Sequence, residues 1–442
     1  FMKNLKTIYF VCSPSLGILD NWLPVIHKLR AKYPNSTLVC IITKPGTAEV
    51  IDLSNILIKI ADDLFDLIVY KSNAEQWFEC FSFSVAKAQN KPSNLKRFLF
   101  LFKKIFLRYR LLSSLSGIVR LTFRLLDFFS PKKKIKLNKF ETQNSVVLYD
   151  VYEETKEYNR ELLEYFIGVP KFSISHGTHI EQKTIEHNRI TNLSRISDEV
   201  NVFLFSKDEK EFYKNTYSLQ DSNIFIVGVP RHNQEWASYL YSMSNDKEQE
   251  WDQYIFFISR TVSEYLPLDR KIQAIKDIRK LAFDDLGLKI IVKLHPKEHS
   301  SGLYEKILGK DNYGIKWKLS SAHPFLLGKR CTFAITLFSG VSVDMAALNV
   351  PTIECLNLHG LKKFDNEDSL KDKNGVSVLE FRHMKIVLGS SNYEQLKIQA
   401  NYIMNNRSVV INKFYKRYCE LYAKPDNSIS LIVDQITKDS NH

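Results

Sequence analysis

The sequence contains no uncharged apolar run of the about eighteen residues that a membrane-spanning helix needs. An integral membrane protein built on such helices is therefore excluded. The six cysteines, Cys12, Cys40, Cys80, Cys331, Cys355 and Cys419, form no CxxC pair. That removes the usual zinc and dithiol motifs and points to buried thiols in a reducing compartment. There is no GxxxxGK[ST] loop, no GxGxxG after the first strand, no HExxH and no GxSxG. P-loop hydrolysis, Rossmann dinucleotide binding, zincin chemistry and nucleophile-elbow hydrolysis thus lack their residues. An Asp-x-Asp to carry a divalent metal on a sugar diphosphate is also missing, so neither a metal nor another cofactor is expected.

What the chain does have is enough apolar material for two bodies. Over 442 residues, 44% hydrophobic and 25% charged, a pair of domains of about 200 residues each is expected. The polar stretch 242–252 reads as the linker, leaving 1–241 and 253–442 on either side. Residues 2–7 run straight into an apolar strand, so no secretory leader is expected and the reading is cytoplasmic.

The net charge of +13 is concentrated in one place, because segment 91–139 holds fourteen Lys and Arg against a single acid, Asp127. Within it, residues 96–110 and 118–129 interleave Phe, Leu and Ile with cations at helical spacing, and Lys132, Lys133 and Lys134 close the run. An interfacial helix needs this pattern, with its rings at the acyl boundary and its cations toward anionic headgroups. A core helix with a solvated basic face has the same pattern. The expectation is an amphipathic insertion on the membrane surface at the cytoplasmic face. No nucleic-acid-binding motif accompanies the charge, so no nucleic-acid partner is expected.

Short apolar strands alternate with helical stretches from residue 8 onward, which implies parallel, doubly wound α/β sheets. Ligands in such sheets bind where strands run out into loops, and the polar residues cluster there. A strand over 145–149 delivers Asp150, Glu153 and Glu154, candidate base or nucleophile groups; they could equally cap the helix that follows. A strand over 171–175 ends in His176, Gly177 and Thr178, where glycine lets a ligand approach the backbone and imidazole shuttles protons near neutral pH. Gly228 leads to Arg231 after another strand.

In the second half, Arg260 follows a strand over 254–258. KLHPKEHS, residues 293–300, follows one over 288–292 and presents Lys293, His295, Pro296 and Lys297. Ser339, Gly340 and Ser342 form the turn after a strand over 332–338, and Glu354 sits on the strand beyond. Cations, hydroxyls and a helix start suit a phosphate or diphosphate. Acids and histidines on one side and an anion site on the other suit group transfer across an inter-domain cleft.

The order His176-Gly-Thr, Gly228-x-Pro-Arg231, Lys293-Leu-His-Pro296, Ser339-Gly-x-Ser342, then Asn349-Val-Pro-Thr-Ile-Glu354 resembles GT-B transferases of bacterial surface polysaccharides that use CMP-sugars: Kdo, polysialic and related nonulosonate transferases. The resemblance covers roughly residues 140–360. It implies a metal-independent glycosyltransferase that moves a nonulosonic acid (sialic, pseudaminic or legionaminic type) or Kdo from CMP to a lipid-linked or glycan acceptor in capsule or O-antigen synthesis. It also implies that His295, Ser339 and Ser342 hold the CMP phosphate and that an acid among Asp150, Glu153 and Glu154 is base or nucleophile. The order is similar as well to CDP-glycerol glycerophosphotransferases, although HGTHIE stands here where that family has HGTPLK. A UDP-N-acetylglucosamine 2-epimerase-like enzyme shares the two-domain cleft, and a non-catalytic scaffold of capsule assembly needs only the surface.

Overall fold

The computed structural model describes residues 5–12, 16–42, 56–70, 142–150, 163, 166–178, 200–217, 219–244, 251–295, 298 and 300–439. The basic segment 91–139, Glu153, Glu154, Pro296 and Lys297 lie outside the described residues.

Two all-parallel sheets form. The first contains β1 Thr7–Cys12, β2 Thr37–Ile42, β3 Leu67–Tyr70, β4 Ser145–Asp150, β5 Lys171–Ile174, β6 Val200–Leu204 and β7 Ile224–Ile226, in the spatial order β3-β2-β1-β4-β5-β6-β7. The second contains β8 Tyr254–Ile258, β9 Lys289–Lys293, β10 Trp317–Leu319, β11 Phe333–Thr336, β12 Thr352–Cys355 and β13 Leu388–Ser390, in the order β10-β9-β8-β11-β12-β13. Each sheet thus winds outward from a first strand, then returns to that strand's other side. The reversal points fall between β1 and β4 and between β8 and β11, the places where open α/β sheets offer a crevice. Asp150 ends β4, Arg260 follows β8 and Ser339 follows β11, so the candidate residues bracket both crevices.

Helices pack on the sheet faces: α1 Leu16–Lys32, α2 Ile56–Leu64, α3 Lys210–Tyr217, α4 Gln234–Met243, α5 Leu268–Lys280, α6 Gly302–Leu308, α7 Pro324–Arg330, α8 Val341–Ala347, α9 Glu380–His383, α10 Tyr393–Leu421 and α11 Ser428–Asp439. Every residue of β1, β4 and β8 is buried, as strands covered on both faces must be, and their apolar runs are continuous for that reason. Sequence spacing starts the first helix at residue 22, which would put Pro24 in its opening turn. The helix instead begins at Leu16 and carries Pro24 inside. Helix α4 runs to Met243, two residues into the stretch expected to link the halves.

The long helix α10 joins the two bodies. Its Leu396, Ala400, Ile403, Val410 and Phe414 belong to the core of the second sheet. Beyond the kink at Asn406 (φ −132°, ψ 33°), Tyr418 and Leu421, with Tyr422 just past the helix end, belong to the core of the first, as do Ile429, Ile432, Val433 and Ile436 from α11. Where the end of α10 meets the first sheet, only glycine fits. Gly228 has φ +79°, and a Cβ there would lie 2.6 Å from the carbonyl oxygen of Ala423.

Candidate functional site

Two consecutive residues on α1 organise the first sheet's C-terminal edge. Trp22 Nε1 donates to Tyr149 O at 3.0 Å and Asn21 Nδ2 donates to Ser175 O at 2.8 Å, so one helix fixes the ends of both β4 and β5. The residues that follow, Asp150 and His176, meet at 2.7 Å between Oδ2 and Nδ1. Asp150 is buried, with 1% of its side chain exposed, while 42% of the His176 side chain is exposed. A buried carboxylate against Nδ1 fixes the orientation of the ring and leaves Nε2 as its outward nitrogen. The structure thus brings together two of the candidate catalytic residues, Asp150 and His176.

Gly177 and Thr178 carry the chain to the second body. Gly177 N donates to Ser175 Oγ at 3.2 Å, Thr178 Oγ1 donates to Gly340 O at 3.3 Å, and Tyr422 OH donates to Thr178 O at 2.7 Å. The loop that bears His176 therefore touches the Ser339–Gly340 turn. In that turn Ser339 Oγ accepts from Val341 N at 3.4 Å. Ser342 Oγ is buried with no hydrogen-bond partner. Phe338, just before it, holds φ 74°, a left-handed conformation costly for a bulky residue.

Deeper in the interface, Arg231 donates through Nε and Nη2 to Asp344 Oδ1 at 3.0 and 2.8 Å, and His232 Nε2 approaches the same oxygen at 2.7 Å. Asp20 of α1 reaches Arg231 Nη1 at 3.6 Å and His323 Nε2 at 3.2 Å. Burial alone would raise the Asp344 pKa, but Arg231 and His232 overcome it and hold the carboxyl at about 2. Burial dominates at His232 and lowers its pKa despite Asp344. Arg231 is buried and cross-links the two bodies through Asp344.

The second sheet's edge is held differently. Lys293 Nζ donates to Ser321 O at 3.1 Å and Ala322 O at 2.8 Å. His295 N donates to Glu298 Oε2 at 2.7 Å, and Arg260 lies against the rings of Tyr265 and Phe338, 5.8 and 5.7 Å from their centroids. Glu354 is buried on β12 beside Thr336 of β11, and neither of its oxygens has a hydrogen-bond partner. Burial pushes its carboxyl up to about 7, against the attraction of Arg382. Among the described residues, no group of three or more His, Cys, Asp or Glu is placed to hold a metal ion, and no helix is long and apolar enough to cross a membrane.

The structure thus joins Asp150, His176, Gly177, Thr178 and Gly340 in one contact chain, and it sets Arg260, Lys293 and His295 along a neighbouring edge. Asp20, Asn21, Asp344 and Glu298 were not singled out from sequence, nor was His323. For His323 a signal existed, since His323-Pro324 repeats the His-Pro pair of residues 295–296. His323 caps α7, accepting from Phe325 N at 3.2 Å.

No family model matches this chain, and no curated protein matches its sequence. Solved structures do match its fold. S. aureus MnaA in complex with UDP shares 13% identity over 99% of this chain and 97% of its own, with TM-score 0.52. The wall teichoic acid polymerase TagF shares 12% over 100% and 90%, with TM-score 0.52, and one of its structures comes from a soak with CDPG. A UDP-N-acetylglucosamine 2-epimerase candidate from Listeria monocytogenes shares 10% over 98% and 96%, with TM-score 0.57. These likenesses, with the two parallel sheets, show a GT-B fold of two Rossmann-like bodies.

Proposed function

We propose that the chain is a GT-B glycosyltransferase that moves a nonulosonic acid or Kdo from its CMP donor to a membrane-linked glycan acceptor. The observation that carries this reading is the Asp150–His176 pair on a loop whose next residues touch the Ser339–Gly340 turn. In this reading Asp150 holds Nδ1, so Nε2 of His176 takes the proton from the acceptor hydroxyl as that oxygen attacks the anomeric carbon. The anomeric carbon–oxygen bond to the CMP phosphate breaks, and the charge gathers on the departing phosphate. Arg260, His295, Ser339 and Ser342, with Lys293 on the same edge, receive that phosphate. Glu354, on the strand after the Ser339–Ser342 turn, stays with the donor side of the proposed site. Pro296 and Lys297 belong to the same loop as His295, and Glu153 and Glu154 follow Asp150, so both pairs stay in the proposed site.

The absence of an Asp-x-Asp supports metal-independent transfer, and segment 91–139 would hold the enzyme on an anionic membrane surface at the cytoplasmic face.

The test is a donor panel of CMP-Kdo, CMP-nonulosonates, CDP-glycerol and UDP-N-acetylglucosamine, read as nucleotide release. CMP release from one of the CMP-sugars is the expected result. Turnover of CDP-glycerol alone would move the assignment to a CDP-polyol phosphotransferase, which the His176-Gly-Thr stretch also favours. Thermal stabilisation by UDP in preference to CMP would move it to an epimerase-like enzyme.

A further inference from the structure

Glu298 lies within the KLHPKEHS stretch, and its side chain turns inward to meet four donors. Its Oε1 accepts from Ser259 Oγ at 3.0 Å and from Tyr304 OH at 2.8 Å, and it pairs with the ammonium of Lys271. Its Oε2 accepts from His295 N at 2.7 Å, while Glu298 N donates back to His295 O at 2.8 Å. Lys271 donates further to Arg260 O at 2.7 Å. Both partners of the ion pair are buried, with 4% and 7% of the Lys271 and Glu298 side chains exposed.

Four separate elements therefore converge on one carboxylate: the loop after β8, the loop after β9, α5 and α6. Burial would raise the Glu298 pKa, but Lys271 and the His295 amide bring it below the usual carboxylate range. The group stays ionised in a setting where an apolar pair of equal volume would stabilise the fold as well or better. A buried ion pair in such a setting calls for a role other than stability, and the atoms it holds identify one. They are the backbone amide of His295 and the backbone carbonyl of Arg260, which belong to the loops that follow the neighbouring strands β9 and β8 on the crevice edge of the second sheet.

We propose that Glu298, paired with Lys271, is a positioning residue that sets the His295 and Arg260 loops in register for an anionic nucleotide. This rests on the reading that these loops take the donor phosphate. Glu298 itself is not a phosphate ligand, since two carboxylate and phosphate charges would repel. Its work is to fix in advance the backbone on either side of the anion.

The experiment compares the full-length chain with Glu298→Gln, with the paired Lys271→Met/Glu298→Leu variant and with Tyr304→Phe. Glu298→Gln leaves Lys271 buried and uncompensated, so it tests folding and positioning together. The paired variant removes both charges and separates them. Calorimetric titration with CMP, CDP and UDP is read beside melting temperature and hydrogen exchange at the His295 amide.

The paired variant should melt near the parent, lose nucleotide affinity by about tenfold to a hundredfold, as orienting groups behind metal ligands do, and exchange the His295 amide faster. Parental affinity and parental exchange in that variant would overturn the proposal. If the parent binds no nucleotide, the donor reading fails, and exchange at His295 decides the positioning role by itself. If the paired variant does not fold, Tyr304→Phe decides instead, because it removes one donor and keeps the ion pair. A loss of about threefold in affinity or protection then supports the proposal, and no change overturns it.

Discussion

At the edge of the first sheet, Asp150 is bonded to an imidazole that is nearly half exposed; at the edge of the second, Glu298 is wrapped by four donors, all from buried or partly buried groups. Both carboxylates stand at the C-terminal ends of parallel strands and both are shut away from solvent. They differ in what they hold. Asp150 orients a group that can exchange protons with its surroundings, whereas Glu298 orients backbone. An edge that performs proton transfer must leave one titratable atom reachable, and an edge that receives an anion needs fixed N–H groups and cations around a prepared shape. The same fold thus provides two kinds of support from similar side chains at the edges of its two sheets.

The sharpest way to break this comparison is at His176. Replacing it with Ala should lower turnover by about 10³-fold, within the range for loss of a general base, while CMP affinity in titration stays parental. Equal losses in affinity and turnover would place His176 with the anion site and erase the contrast. Next in size is the cross-link beneath both edges. Arg231→Met strands Asp344 in the interface and should cost about 4 kcal/mol of unfolding free energy, measured by denaturant titration.

Glu354 gives a pH test that is specific to the second sheet. Burial raises its folded pKa to about 7, above the ordinary value of 4.5, so the native state holds a proton that the unfolded state has released between those values. Its contribution is fully present below pH 4.5 and is lost as pH rises through 7, by about 3 kcal/mol. Glu354→Gln should remove that decline. His232, with its lowered pKa, acts in the opposite sense and weakens the fold as pH falls below 6.5, so the difference between parent and variant is the quantity to measure. The smallest effect expected is at Asp344. Its depressed pKa contributes stability above pH 3.8 that disappears as pH falls toward 2, by about 2 kcal/mol, and Asp344→Asn should lack that acid limb.

How much of this was legible in the sequence depended on burial. The strands β1, β2, β4, β8 and β9 announce themselves because their middles are covered on both faces and read as unbroken apolar runs. The three-residue edge strands Trp317–Leu319 and Leu388–Ser390 are too short and too polar to stand out. The strand-end histidines and serines were legible because Gly and Pro flank them. Their supports were not, since Asn21, Asp20, Lys271 and Tyr304 act across long sequence separations and sit in ordinary helical contexts. Glu298 shows the limit well. It lies three residues after His295, a spacing that suits a reciprocal turn, but its remaining partners come from three other elements. Residues 96–110 and 118–129, whose cations and rings alternate at helical spacing, lie outside the described residues.

The path of α10 and α11 has a consequence for how the protein is made. The larger core of the first sheet includes Tyr418, Tyr422, Ile429, Ile432, Val433 and Ile436, residues synthesised long after its last strand, Ile224–Ile226. A ribosome that has released the seven strands of that sheet has not yet released the side chains that cover one of its faces. The second sheet, whose core draws on residues no later than Phe414, can close first, contrary to the usual order in which the N-terminal body leads. The nascent first half must then wait with an apolar face uncovered, which makes this interval the one in which a chaperone has most to protect.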